Sequence, residues 1–138
     1  MSWTYSGDPS ESDLDAVRLR VGDRDENDQL LQDEEIEYFL AQYPGGGNAA
    51  LRASIDSAKA IAAAYARQST YRIGQVSETL SRKSEAYERL AKELTEELRQ
   101  LAVVSAKAVA VSTADKAAQA ADSTLVKPYI SRGMHDNV

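Results

Sequence analysis

The sequence predicts a mainly α-helical protein: a small bundle of about four helices with a short β-excursion or loop and an extended C-terminal arm. Alanine supplies nine of the 19 residues over 48–66, a composition that favours slim, closely packed helices. Apolar side chains recur at spacings of three and four residues in four separate segments, the period of a helix with one buried face. Large apolar side chains are scarce between 105 and 124. We therefore expect a helical domain over 1–104 and an arm over 105–138.

The expected helices cover about residues 12–21, 33–43, 49–68 and 82–104. Ser12, with Asp15 three residues later, approximates a capping box, and Gly22 suits the left-handed residue that commonly ends a helix. Asn48 is a candidate cap for the third helix. The fourth helix has the clearest amphipathic pattern, carried by Tyr87, Leu90, Ala91, Leu94, Leu98 and Leu101.

Two segments leave alternatives open. Over 70–80 the helical period is lost around Tyr71 and Ile73, which predicts a short β-excursion or an irregular loop. Over 106–119 the propensities allow a helix, whereas the alternation of Val109 and Val111 with alanine allows a strand. In either case this stretch buries little by itself, so we expect it to become ordered against a partner.

The composition excludes several classes of function. The chain has no cysteine and a single histidine, His135, which rules out thiolate sites and disfavours a Ser-His-Asp triad or a two-histidine zinc site. No run approaches the roughly 18 apolar residues that a membrane span needs, and the first residues lack the pattern of a secretory signal. We expect an intracellular protein that is not an enzyme and uses no cofactor.

The net charge of −6 is unevenly distributed along the chain. Residues 1–43 carry 12 acids and 3 bases, whereas residues 44–138 carry 10 acids and 13 bases. Copies of the chain could therefore attract one another head to tail, and such contacts close into rings where the rotation permits. A solvated acidic surface without a partner explains the same composition. Sequence-specific DNA binding is disfavoured, because the chain has no dense Lys/Arg stripe.

The loop after the first helix is the candidate for a ligand site. Asp23, Asp25 and Asn27 stand at positions 1, 3 and 5 of a calcium-type loop, and Glu34 stands at position 12. Position 6 is Asp28, however, where the sharp turn of that motif needs a glycine. A plain solvated turn is therefore the competing interpretation.

Apolar side chains near the two ends of the chain are candidates for partner binding. Trp3 and Tyr5 stand in an otherwise polar terminus, so they either tuck back onto the domain or anchor a partner. The arm carries the other candidates: Leu125, Val126, Tyr129, Ile130 and Met134. These side chains could add a strand to a sheet edge or occupy an apolar groove, while His135 is expected to be solvated.

An ordered string of short motifs runs along residues 1–101. It begins with MSWTYSGDP, continues with a short helix containing Asp15, Val17 and Arg18, and then has VGD at 21–23 and LQDEEI at 31–36. SETL at 77–80 precedes the amphipathic fourth helix. This string resembles the head–tail connector (adaptor, or head-completion) proteins of long-tailed bacteriophages. Gln32 departs from the pattern, which has Ser as the helix cap, and Asp33 could take over that role.

The resemblance implies a structural protein of the virion neck, assembled in the cytoplasm of the host bacterium. About twelve subunits would form a ring under the portal protein, continue the channel for double-stranded DNA, and bind the next neck, stopper or tail-completion protein. We expect the arm to dock on the portal or on an adjacent subunit. The alternatives are a calcium-responsive module built on the loop over 23–34, and a regulatory helical module that acts as a monomer or dimer.

Overall fold

A computed structural model describes residues 2–71 and 73–121 of the chain, which form four α-helices and no strand. The helices are α1 (Asp13–Val21), α2 (Asp33–Ala41), α3 (Ala49–Thr70) and α4 (Gln75–Ala121). The predicted helical class is confirmed. Within the described part of the chain, no helix is both long enough and apolar enough to cross a membrane.

The ends of α1 follow the predicted local chemistry. Ser12 has an extended backbone, and its hydroxyl accepts a hydrogen bond from the Asp15 backbone N–H at 3.1 Å. Gly22 ends the helix with a left-handed φ of 79°, a conformation that costs glycine little because it lacks a Cβ. The N-cap at Ser12 and the glycine end of α1 are confirmed, whereas the Asp15 carboxylate accepts from Ser6 and does not complete a capping box.

The starts of α2 and α3 differ from the prediction. Gln32 is the N-cap of α2, and the Glu35 carboxylate accepts its backbone N–H at 2.8 Å. The expectation that Asp33 would cap α2 is wrong, because its side chain hydrogen-bonds Arg18 and Thr4 instead. Asn48 occupies the N-cap position of α3 in a left-handed conformation, and its side chain makes no capping hydrogen bond.

The segment over 70–80 is a short loop followed by helix, so of the two alternatives the loop is observed. Gly74 has a φ of 82°, and α4 starts at the next residue, earlier than predicted. A local contact favours this early start, since Arg82 pairs with Glu78 one turn before it. Residues 106–119 continue α4, as their alanine content favours.

The helices pack around two apolar clusters, and α3 contributes to both. The first cluster consists of Val17, Val21, Leu31, Ile36, Ala53, Ala58, Ile61 and Ala91. The second consists of Leu51, Ile55 and Leu94. Because Ala53 and Ala58 are fully buried, the alanine face of α3 is where its neighbours approach closely.

The chain divides into two compact units, Met1–Leu101 and Ala102–Val138, where the sequence placed a boundary at 104. Both apolar clusters belong to the first unit. In the second unit the described residues are helical as far as Ala121, and Val103, Val104 and Val109 are exposed.

Candidate functional site

The N-terminal segment, residues 2–6, is held by three carboxylates. Every second residue donates its backbone N–H to one of them: Ser2 to Glu34 at 3.0 Å, Thr4 to Asp33 at 3.0 Å, and Ser6 to Asp15 at 3.1 Å. A spacing of two is that of an extended chain, whose successive residues face opposite sides. Side-chain carboxylates of the helical bundle therefore accept the backbone hydrogen bonds of this segment, as the carbonyl groups of a neighbouring strand do in a sheet.

A buried arginine stands beside this segment. We use the name Arg18 cluster for Trp3, Arg18, Asp23 and Asp33. The Arg18 side chain is fully buried, and its Nη1 donates to the Asp23 carboxylate and to the Leu31 carbonyl oxygen, the latter at 3.1 Å. Its Nη2 donates to Asp33 Oδ1 at 2.6 Å. The planar guanidinium thus joins two carboxylates that lie on different segments of the chain, an arrangement that suits its fork of donors.

Trp3 and Asp23 complete the Arg18 cluster. The Trp3 ring centre lies 4.8 Å from the guanidinium carbon of Arg18, a cation–π contact. The Trp3 indole N–H donates to Asp23 Oδ1 at 3.3 Å. Asp23 also accepts the backbone N–H groups of Leu30 and Leu31 at 3.0 and 3.3 Å. Of the two arrangements expected for Trp3, the structure shows the one in which it tucks back onto the domain.

Hydrogen bonds lower the pKa values of two carboxylates of this site, Asp33 and Glu34. Burial alone would raise the pKa of Asp33, but the hydrogen bonds from Arg18 and Thr4, with the Arg18 charge, outweigh burial and lower that pKa. The backbone N–H of Ser2, followed by that of Glu34 itself, lowers the pKa of Glu34 to about 2. At neutral pH Asp33 and Glu34 therefore bind the N-terminal segment as negatively charged acceptors.

The four residues of the calcium-type loop are not gathered around one point. Asp23 is buried against Arg18, Glu34 holds Ser2, and Asp25 accepts the Asn27 backbone N–H at 2.9 Å. In the described ranges no group of three or more His, Cys, Asp or Glu side chains could hold a metal ion. The geometry of this loop is that of a turn organised by its own aspartates.

The other candidate residues fall in two places. Tyr5 is half-buried and lines a groove with Thr4, Ser6 and Leu14. The arm candidates Leu125, Val126, Tyr129, Ile130 and Met134, together with His135, lie outside the described residues.

The burial of Arg18 was not predicted from the sequence. One signal could have found it: Arg18 directly follows Val17 and lies three residues before Val21, on the stripe that α1 buries. A charge on a buried stripe needs partners, and the aspartates of the acidic loop were the candidates nearest in sequence.

The class of protein that these features define is a small helical-bundle domain whose N-terminal segment is fixed by a buried arginine cluster. No family model, no curated protein and no solved structure matches the chain.

We expect acid to release the N-terminal segment. Because the pKa values of Asp33 and Glu34 are lowered in the folded protein, these groups stabilise it above their ordinary pKa values, and this stabilisation is lost as the pH falls through the folded ones. Trp3 is the only tryptophan, so its emission should shift to longer wavelength between about pH 4.5 and about pH 2.

Glu34→Gln should move that transition to higher pH, since the segment then lacks one charged acceptor. Glu96→Gln is the matched control: the pKa of Glu96 is also lowered to about 2, but by hydrogen bonds from Arg99 and Gln100 on α4. An unchanged transition in Glu34→Gln, or an equal shift in Glu96→Gln, would contradict a role for Glu34 in holding the N-terminal segment.

Proposed function

We propose that this chain is a structural head–tail adaptor of a long-tailed phage. In this proposal it forms a ring of about twelve subunits under the portal protein, continues the DNA channel and binds the next neck component. The carrying observation is that the separate motifs behind the resemblance contribute to one buried cluster. MSWTYSGDP contributes Trp3, and the first helix contributes Arg18. The VGD motif contributes Asp23, and LQDEEI contributes Asp33.

The contacts in the Arg18 cluster support treating these motifs as one signature. Three short motifs that occurred together by chance would have no reason to place one side chain each against a single guanidinium. Here Arg18 binds an aspartate from each of two motifs and the aromatic ring of a third. Removing one partner of such a group leaves an uncompensated buried charge, so the motifs depend on one another energetically.

The surface of the second unit also supports a role in assembly. Val103, Val104 and Val109 are exposed along the helical part of this unit. Exposed apolar side chains that follow one another on a helix suit contact with another protein. In an adaptor they would face the portal, a neck protein or a neighbouring subunit.

The direct test is electron microscopy with native mass spectrometry on the full chain, alone and mixed with the portal protein from the same genome. We expect rings, or portal particles extended by a tier of about twelve copies. A monomer or dimer that ignores the portal would contradict the proposal and favour a regulatory module.

We expect deletion of residues 123–138 to abolish attachment to the portal. These residues include the five arm candidates, and all four described helices end before them, so the CD signal of those helices should persist. A variant with a Gly-Ser chain of equal length in place of 123–138 separates loss of anchors from loss of length. Portal attachment that survives in either variant would refute a docking role for the arm.

A further inference from the structure

The loop between α3 and α4, together with the first turn of α4, exposes three large apolar side chains. Tyr71, Ile73 and Val76 are 81%, 99% and 53% exposed, and we call them the apolar tip. Single exposed apolar residues are ordinary on protein surfaces, whereas three within six positions suit contact with another protein. The tip is also basic in sequence, since residues 66–83 carry four bases and one acid.

A groove beside α2 has complementary properties. It has a volume of about 320 Å³ and is lined by Leu31, Glu34, Glu35, Tyr38, Phe39 and Ala60. We call it the α2 groove. Its floor is apolar, and its rim carries the carboxylates of Glu34 and Glu35. Tyr38 is 66% exposed at its edge, so its ring is accessible to another molecule.

The tip of a chain cannot fill the α2 groove of the same chain. Ala60 lines the groove, and α3 runs uninterrupted from it to Thr70, where the tip begins. Ten helical residues separate these points by about 15 Å. A tip that occupies an α2 groove therefore belongs to another molecule.

We propose that the apolar tip of one subunit docks in the α2 groove of the next, as the head-to-tail contact between copies of this chain. The inference rests on the ring of the proposed function and names its interface. Ile73 and Tyr71 cover the apolar floor, while the basic flanks of the tip face Glu34 and Glu35. Both surfaces are on every copy and differ from one another, so the contact is heterologous and closes into a ring where the rotation permits.

Engineered disulfides test this contact on the full chain, which has no cysteine of its own. Under mild oxidation the double variant Ile73→Cys/Tyr38→Cys should give a ladder of covalent multimers, and a mixture of the two single variants should give mixed dimers. Glu93→Cys/Tyr38→Cys is the matched control, because Glu93 is exposed on α4 far from the tip. A ladder of equal yield in the control, or none in the test variant, would overturn the proposal.

Charged substitutions of opposite sign at Ile73 test whether charge complementarity contributes to the contact in addition to apolar burial. Ile73→Glu should reduce self-association about tenfold more than Ile73→Lys, because only the acid is repelled by Glu34 and Glu35. The fold survives either change, since Ile73 contributes nothing to the core. Equal effects of the two variants would contradict the charge match.

The outcomes distinguish this inference from the adaptor proposal. Portal-bound rings that show no 73–38 crosslink would overturn the tip contact and leave the adaptor function standing. Crosslinked multimers of a chain that ignores the portal would support the contact and contradict the adaptor function.

Discussion

Arg18→Met should lower the free energy of unfolding by about 3–5 kcal/mol, because it leaves Asp23 and Asp33 buried without their cation. It also removes the group on which the Trp3 ring lies and the donor to the Leu31 carbonyl oxygen. The N-terminal segment, the loop after α1 and the start of α2 should therefore loosen together. Urea denaturation followed by far-UV CD measures the loss, and Trp3 emission reports the segment.

Arg20→Met is the matched control for that prediction. Arg20 lies on the same helix and pairs with Glu97 at 3.1 Å, but both side chains are exposed, so its replacement should cost about 1 kcal/mol or less. Adding Asp23→Asn and Asp33→Asn to Arg18→Met should recover part of the loss, since the buried charges are then gone. A cost for Arg18→Met no larger than that for Arg20→Met would show that the cluster is not a stabilising unit.

Ile36→Ala should destabilise the domain by about 2–5 kcal/mol, because it opens a cavity in the first apolar cluster. Ile36 is fully buried and is the α2 side chain in that cluster. Ile36→Val, which removes one methylene group, should cost about 0.5–1.5 kcal/mol. Chemical denaturation of the two variants measures both losses in the free energy of unfolding, and the loss should be larger for Ile36→Ala.

Tyr38→Ala is the control on the same helix. Its side chain is mostly exposed, so the free energy of unfolding should stay within about 0.5 kcal/mol of the original protein. The same variant should weaken self-association, because Tyr38 borders the α2 groove. A stability loss for Tyr38→Ala as large as that for Ile36→Ala would contradict the placement of α2 against the core.

The helices were predictable from sequence because their signals are local. The signals are the hydroxyl of Ser12, the glycine at position 22 and apolar spacings of three and four. Each acts within a few residues, so its effect on the backbone does not depend on the rest of the fold. The start of α4 was misplaced because Tyr71 and Ile73 interrupt the helical period. Their side chains are exposed, so this change of pattern reflected a surface loop and not a buried strand.

The candidate site was predictable only in part. The sequence did not distinguish a Trp3 that packs on its own domain from one that binds a partner. An aromatic side chain in a polar terminus has apolar surface to cover in either case. The acidic loop suggested a cation, and the cation that Asp23 holds is the guanidinium of Arg18. A spacing of carboxylates predicts that positive charge is needed nearby, but it does not distinguish a metal ion from an arginine.

The sequence by itself determined the helical class, the approximate helix positions and the unequal distribution of charge, because each depends on composition or on neighbours within one or two turns. Only the tertiary structure decided that Arg18 is buried and that the N-terminal segment is fixed to it. Burial of a charge destabilises the folded state unless its partners are all in contact with it. Trp3, Asp23 and Asp33 reach Arg18 from separate parts of the chain, and no local pattern encodes that meeting.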